Sequence, residues 1–134
     1  MKLTRVHRML EELGVVVFPG VYDTLSAKIV QRVGFRLSFI SGYSVAATVI
    51  GEPDLGLLTQ TEILEQARRV CTSVDIPIIV DAAGQVYPTE NLSIYVKMGA
   101  DLVAYGAKYF GSVNSSGILT GMKDLVDAAR LHSF

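Results

Sequence analysis

One cysteine, Cys71, is all that the 134 residues contain, so no disulfide can form within the chain and no cysteine-rich metal scaffold exists. A basic surplus is missing as well: 12 Lys and Arg stand against 13 Asp and Glu, for a formal charge of -1. Phosphate backbones attract strongly basic surfaces, so nucleic acid is not expected as a partner. Long apolar runs are absent too. Stretches such as Ile76 to Val80 fall far short of the roughly 20 residues that cross a bilayer, and no membrane segment is expected. The opening MKLTRVHRMLEELGVVVF is basic and then apolar, but Glu11 and Glu12 interrupt it and no small-residue cleavage site follows. That pattern predicts no signal peptide and a cytoplasmic location. His7 and His132 stand near opposite ends with no partner at ligand spacing, which argues against a histidine metal site.

What remains is apolar and ordered. Half the residues are hydrophobic, enough for one α/β domain over residues 1–134 with a single core. So much apolar side chain in a short chain also predicts surface left over for a partner, and hence a homo-oligomer. Leu3, Val6, Met9, Leu10 and Leu13 recur at helical spacing and Gly14 stops them. Val15 to Phe18 reads as a buried strand, ended by Pro19 and Gly20. Asp23 or Thr24 then caps a helix over Leu25, Ile29, Val30 and Val33, which stops at Gly34.

Leu37 to Ile40 is the second predicted strand. The small-residue stretch SVAATVIG and a long loop through Glu52-Pro53-Asp54 follow it. Thr59 and Glu62 have the T-x-x-E spacing of a capping box, opening a helix with Ile63, Ala67 and Val70 on one face. Ile76 to Val80 is a third strand with Asp81 at its end. A helix through Leu92, Tyr95, Val96 and Met98, a strand at Leu102 to Tyr105, another at Ser116 to Thr120 and a helix over Lys123 to Leu131 complete the pattern. Near-continuous apolar strands alternating with helices predict a mainly parallel sheet flanked by helices. In such sheets ligands bind beyond the carboxyl ends of the strands, which selects Pro19-Gly20, Ser41-Gly42, Asp81 and the loop around Lys108.

Residues 1–82 resemble the isocitrate lyase and phosphoenolpyruvate mutase superfamily through FPGVYDTLSAKIVQRVGF, FISGYSVAATVIGEPDLGLLTQTEILEQARRV and IPIIVDA. The resemblance implies a partial (β/α) barrel-like half and, if the chain is active, a Mg2+-dependent lyase acting on a small 2-oxo or hydroxy carboxylate. Carried over by position, Ser41 and Gly42 would bind the substrate carboxylate and Tyr43 would border the pocket. Asp54 would lie near the reacting group and Asp81 would bind the metal. The family motif continues D-A-D-T-G-Y-G, whereas this chain reads Asp81-Ala82-Ala83-Gly84-Gln85.

Residues 76–134, from IPIIVDAAGQVYPTENLSIYVKMGADLVAYGAKYFGSVNSSGILTGM onward, resemble fold-type I pyridoxal-phosphate enzymes of the selenocysteine synthase and D-glucosaminate-6-phosphate ammonia-lyase type. This implies a composite chain, lyase-barrel-like over 1–80 and pyridoxal-phosphate-enzyme-like over 81–134. Asp81 would then pair with the cofactor's pyridine nitrogen and Lys108 would form its Schiff base. A third reading is a catalytically inert chimeric or truncated α/β module.

Overall fold

The computed structural model describes residues 5–131. Leu3 and His132 lie outside the described residues, as do the side chains of Val6, His7 and Leu10. In chain order the elements are α1 (Arg5–Leu13), β1 (Gly20–Val21), α2 (Thr24–Val33), β2 (Ser38–Ser41), α3 (Gly42–Val49) and α4 (Gln60–Cys71). They continue with β3 (Ile78–Asp81), α5 (Asn91–Lys97), β4 (Leu102–Gly106), a 3-10 turn (Ala107–Phe110), β5 (Gly117–Gly121) and α6 (Lys123–Leu131). The strands form one sheet in the order β1-β2-β3-β4-β5. The first four run parallel and β5 returns antiparallel to β4. This is the expected mainly parallel α/β sheet with flanking helices.

Local chemistry sets the helix ends. Asp23 Oδ1 accepts from the Ser26 N–H at 2.7 Å while the Asp23 N–H donates to Ser26 Oγ at 3.2 Å, a reciprocal cap on α2. The helix closes at Gly34, whose φ of 101° is open to glycine at little cost. Thr59 and Glu62 form the predicted capping box on α4, with the Thr59 N–H donating to Glu62 Oε2 at 2.7 Å. On the outer face of α4, Glu65 accepts from Arg68 and Arg69, and these bonds, Arg68's first, hold its carboxyl down at about 2.

The core lies between one sheet face and the helices. Ile40, Ile78, Val80 and Val103 point into it and meet Ala27, Ala67, Val70 and Tyr95. Because strand side chains alternate, Phe39, Ile79 and Asp81 lie on the other face. One expectation needs correction, and two segments take a form that the sequence pattern left open. The strand starts at Gly20 rather than Val15, and Val15 and Val17 are exposed. Pairing begins only at Pro19, whose carbonyl accepts from Phe39 N–H, so the four residues before it have no strand alongside. On α2 the helix turns Ala27 inward, leaving Leu25, Ile29 and Val33 exposed along one edge. SVAATVIG is not irregular: residues 42–49 form α3, with Val45 and Ala46 buried. No helix among the described residues is long and apolar enough to cross a membrane.

Cys71, at the end of α4, is raised to about 12 by burial first and by the charge of Asp101 second. An unfolded cysteine ionises near ~8.5. A raised folded value means that no stability is lost below that range, and that stability falls as pH rises towards the folded value. The melting temperature should therefore drop above about pH 8.5, and by less in Cys71→Ser. At pH 8 the native thiol should react with a disulfide reagent at least about tenfold more slowly than in urea; equal rates would contradict this placement.

Candidate functional site

Ser38 lies opposite Ile78 and Ser41 opposite Asp81 in the parallel pairing of β2 with β3. Neighbouring strands are ~4.8 Å apart, so Ser41 and Asp81 emerge side by side at the carboxyl rim, on the face away from the packed core. The chain passes from β2 straight into α3, with Ser41 as N-cap in extended backbone (φ -129°, ψ 156°). Its hydroxyl makes no capping bond. Instead it lies 3.5 Å from Ser44 Oγ, which itself donates to the Ser41 carbonyl at 2.9 Å. Ser41 thus leaves the first N–H groups of α3, which carry the partial positive charge of a helix start, without a cap from its own side chain.

Beyond β3 the chain folds back at once. Asp81 Oδ1 accepts from the Ala83 N–H at 3.2 Å, and the Gln85 N–H donates to the Ala82 carbonyl at 2.9 Å. Gln85 is held from below as well: the Tyr95 hydroxyl donates to its Oε1. Tyr95 is buried on α5, and burial pushes its phenol well above the usual tyrosine range. The hydroxyl therefore stays protonated throughout the ordinary pH range.

The opposite wall comes from the loop between α3 and α4. The Asp54 carboxylate lies against the Gly42 α-carbon, so closely that a methyl group added there would stand 2.5 Å from Oδ2. Leu58 is buried and anchors this loop. Gln60 opens α4, and its Nε2 is shielded from solvent without a hydrogen-bond partner. Ser41, Gly42, Tyr43, Asp54, Gln60, Asp81 and Gln85 line one cleft of about 320 Å³.

Five of the sequence-predicted positions, Ser41, Gly42, Tyr43, Asp54 and Asp81, thus converge. Lys108 does not join them. It is exposed on the 3-10 turn, its ammonium 5.3 Å from the Tyr109 ring centroid, and it is not part of the cleft lining. Pro19-Gly20 also stands outside the lining. Gln60 and Gln85 were not singled out from sequence. The signal for Gln60 was its place directly after the capping Thr59, and for Gln85 its place where the quoted motif has glycine.

Among the described residues no group of three or more Asp, Glu, His or Cys could hold a metal on its own. Mg2+ does not need one: it keeps several waters and binds through one or two carboxylates plus substrate oxygens. Asp81, an exposed carboxylate with one oxygen held by the Ala83 N–H, fits that demand.

A family model described as phosphoenolpyruvate phosphomutase matches residues 6–109. The chain belongs to this family. It is 50% identical over 105 residues to the chloroplastic carboxyvinyl-carboxyphosphonate phosphorylmutase of Arabidopsis thaliana, covering 78% of this chain and 30% of that protein. A crystal structure of 2,3-dimethylmalate lyase superposes with a TM-score of 0.59 at 31% identity, over 75% of this chain and 38% of that one. Phosphonopyruvate hydrolase in complex with oxalate and Mg2+ superposes with a TM-score of 0.59 at 25% identity, over 70% and 35%. The chain therefore spans well under half the length of these relatives.

The family match gives no support to a composite chain. It runs through the boundary at residues 76–82 and takes in both Asp81 and Lys108. None of the three relatives is a pyridoxal-phosphate enzyme by description. The position of Lys108 agrees, because a Schiff-base lysine needs a desolvated pocket and this one is in water.

The Gly42 contact generates a test. Gly42→Ala should push the Asp54 carboxylate out of the cleft, since the obstructing atom is a side-chain end that swings away cheaply. Stability should change by less than about 1 kcal/mol in urea titration. The Asp54 amide should shift in NMR spectra; an unmoved Asp54 would mean that the close approach does not exist.

Proposed function

We propose that the cleft binds a small 2-oxo or hydroxy carboxylate together with Mg2+ and serves lyase chemistry, the cleavage or formation of a bond beside an enolate. The observation that carries this reading is the pairing of Ser41 with Asp81 at the rim of two parallel strands, with Asp54 across the same cleft. Membership in the phosphoenolpyruvate phosphomutase family supports it. So does the description of one structural relative as a complex with oxalate and Mg2+.

Each residue has a task that its position suits. The Ser41 hydroxyl and the open N–H groups of α3 hold the substrate carboxylate, as helix starts hold anions generally. Tyr43, on the first turn of α3, borders the pocket with an exposed ring. Asp81 holds the metal, which when bound supplies positive charge to oxygens that become enolate-like. Asp54, across the cleft at the Gly42 α-carbon, is the carboxylate placed to hold or move a proton at the reacting group. Ala83 stands where the quoted motif has a second aspartate, so Asp81 works with one supporting carboxylate fewer.

Mg2+ with oxalate, a planar enolate mimic, should raise the melting temperature of the wild type. At a free concentration about 100 times Kd the stabilisation is about 2.7 kcal/mol, worth several degrees. Asp81→Ala should abolish the rise, while Lys108→Ala should leave it intact. A wild type that melts at the same temperature with and without both additions refutes the reading.

A further inference from the structure

The pairing of β3 with β4 continues past Asp81. The Ala82 N–H donates to the Ala104 carbonyl at 2.9 Å, and the Gly106 N–H donates to the Ala83 carbonyl at 2.9 Å. Ala83 is therefore held on both sides, since its own N–H donates to Asp81 Oδ1 at 3.2 Å. Beside this bonded chain lies the ring of Tyr109, from the 3-10 turn that follows β4. A methyl group added to Gly106 would stand 3.2 Å from Tyr109 Cδ2 and Cε2 and 3.2 Å from the Ala83 oxygen. One added to Gly84 would stand 3.7 Å from Tyr109 Cζ and from its hydroxyl oxygen. Gly106 has φ -80° and ψ 114°, backbone that any residue adopts, so glycine serves there as space rather than as conformational freedom. Tyr109 fills that space. It is 46% exposed and has no place in the buried core cluster, so its ring packs on the turn after β3 without supporting the main core. A hydrogen bond flanked by an apolar ring meets less competition from water and gains strength.

We propose that Tyr109 is a positioning residue: its ring, packed on Gly84 and Gly106, fixes Ala83, and Ala83 in turn fixes the carboxylate of Asp81 for the metal. The order of action runs from the ring to the Gly106–Ala83 bond and from there to the bond between the Ala83 N–H and Asp81 Oδ1. Tyr109 does not line the cleft and acts only through these bonds. The inference rests on the reading of Asp81 as the metal ligand and adds to it the group that orients the ligand.

Calorimetry with Mg2+ and oxalate, at a temperature where every variant is folded, should show binding to Tyr109→Ala weakened by about tenfold, the scale for losing an outer partner of a metal ligand. Tyr109→Phe keeps the ring and should bind as the wild type does. Gly106→Ala should weaken binding as well, because its methyl displaces either the ring or the Ala83 carbonyl, and it decides the matter if Tyr109→Ala fails to fold. In the metal-free protein the Ala83 and Gly106 amides should exchange with solvent faster in Tyr109→Ala, while amides of β2 and β3 keep their rates. Equal acceleration of all of them would mean a general loss of stability and overturn the positioning role. If the wild type binds Mg2+ with oxalate and Tyr109→Ala binds as tightly, this inference falls and the carboxylate reading stands. If the wild type binds neither, the carboxylate reading falls, and the exchange rate of the Ala83 amide decides the role of Tyr109: a faster rate in Tyr109→Ala upholds it and an unchanged rate overturns it.

Discussion

The register between β2 and β3 is the constraint on which the rest depends. With Ser38 opposite Ile78, the rows Ile40-Val80 and Ser41-Asp81 fall on opposite faces, one into the helices and one towards the rim. A slip of one residue would exchange them, burying a carboxylate and exposing the core. At the foot of the pair the Ser38 N–H donates to the Pro77 carbonyl at 3.1 Å, and two side-chain bonds tie the pair to its outer neighbours. Ser38, fully buried, donates to the Pro19 carbonyl at 2.7 Å and ties the start of β1 to β2. Asp101 Oδ2 accepts from the Ile78 N–H at 3.0 Å and fixes the foot of β3 to the entry of β4.

Helix caps divide the molecule in the same spirit. α2 and α4 satisfy their first N–H groups with their own side chains, Asp23 with Ser26 and Thr59 with Glu62. α3 does not, although its N-cap is a serine. The open start costs α3 about 1 kcal/mol in helix stability, and α5 likewise begins without a side-chain cap.

Much of this arrangement was legible in the residues. Capping boxes are local chemistry, so α2 and α4 began where Asp23 and Thr59 said they would, and Gly34 ended α2 as its freedom at positive φ requires. The places of Ser41 and Asp81 were legible because each stands at a strand end, which implies the rim, whereas Asp54, in the loop between α3 and α4, followed only from the family resemblance. The misreadings concern relations between distant segments. Whether Val15 to Phe18 pairs depends on what lies beside it: among the described residues backbone bonding to β2 begins at Pro19, and Phe18 meets the Phe39 ring edge-on. Which face of α2 turns inward depends on the sheet, which selected Ala27 over three larger residues. The place of Gln85 was not legible because the group that holds it, Tyr95, lies ten positions later and on another element. The direction of β5 was equally hidden, since a short apolar run reads the same in either sense.

That reversed strand has a practical side. Gly121, the last residue of β5, pairs with Leu102, the first of β4, so the chain enters α6 from the rim opposite the cleft. There α6 packs against α1. A fluorophore or surface tether attached through exposed Lys123 would report on the closure of this floor, where the first and last helices meet, while leaving the mouth of the cleft open to solvent. Mechanical load applied at that point would be borne by the antiparallel β4–β5 ribbon before it reached the pairing of Ser41 with Asp81.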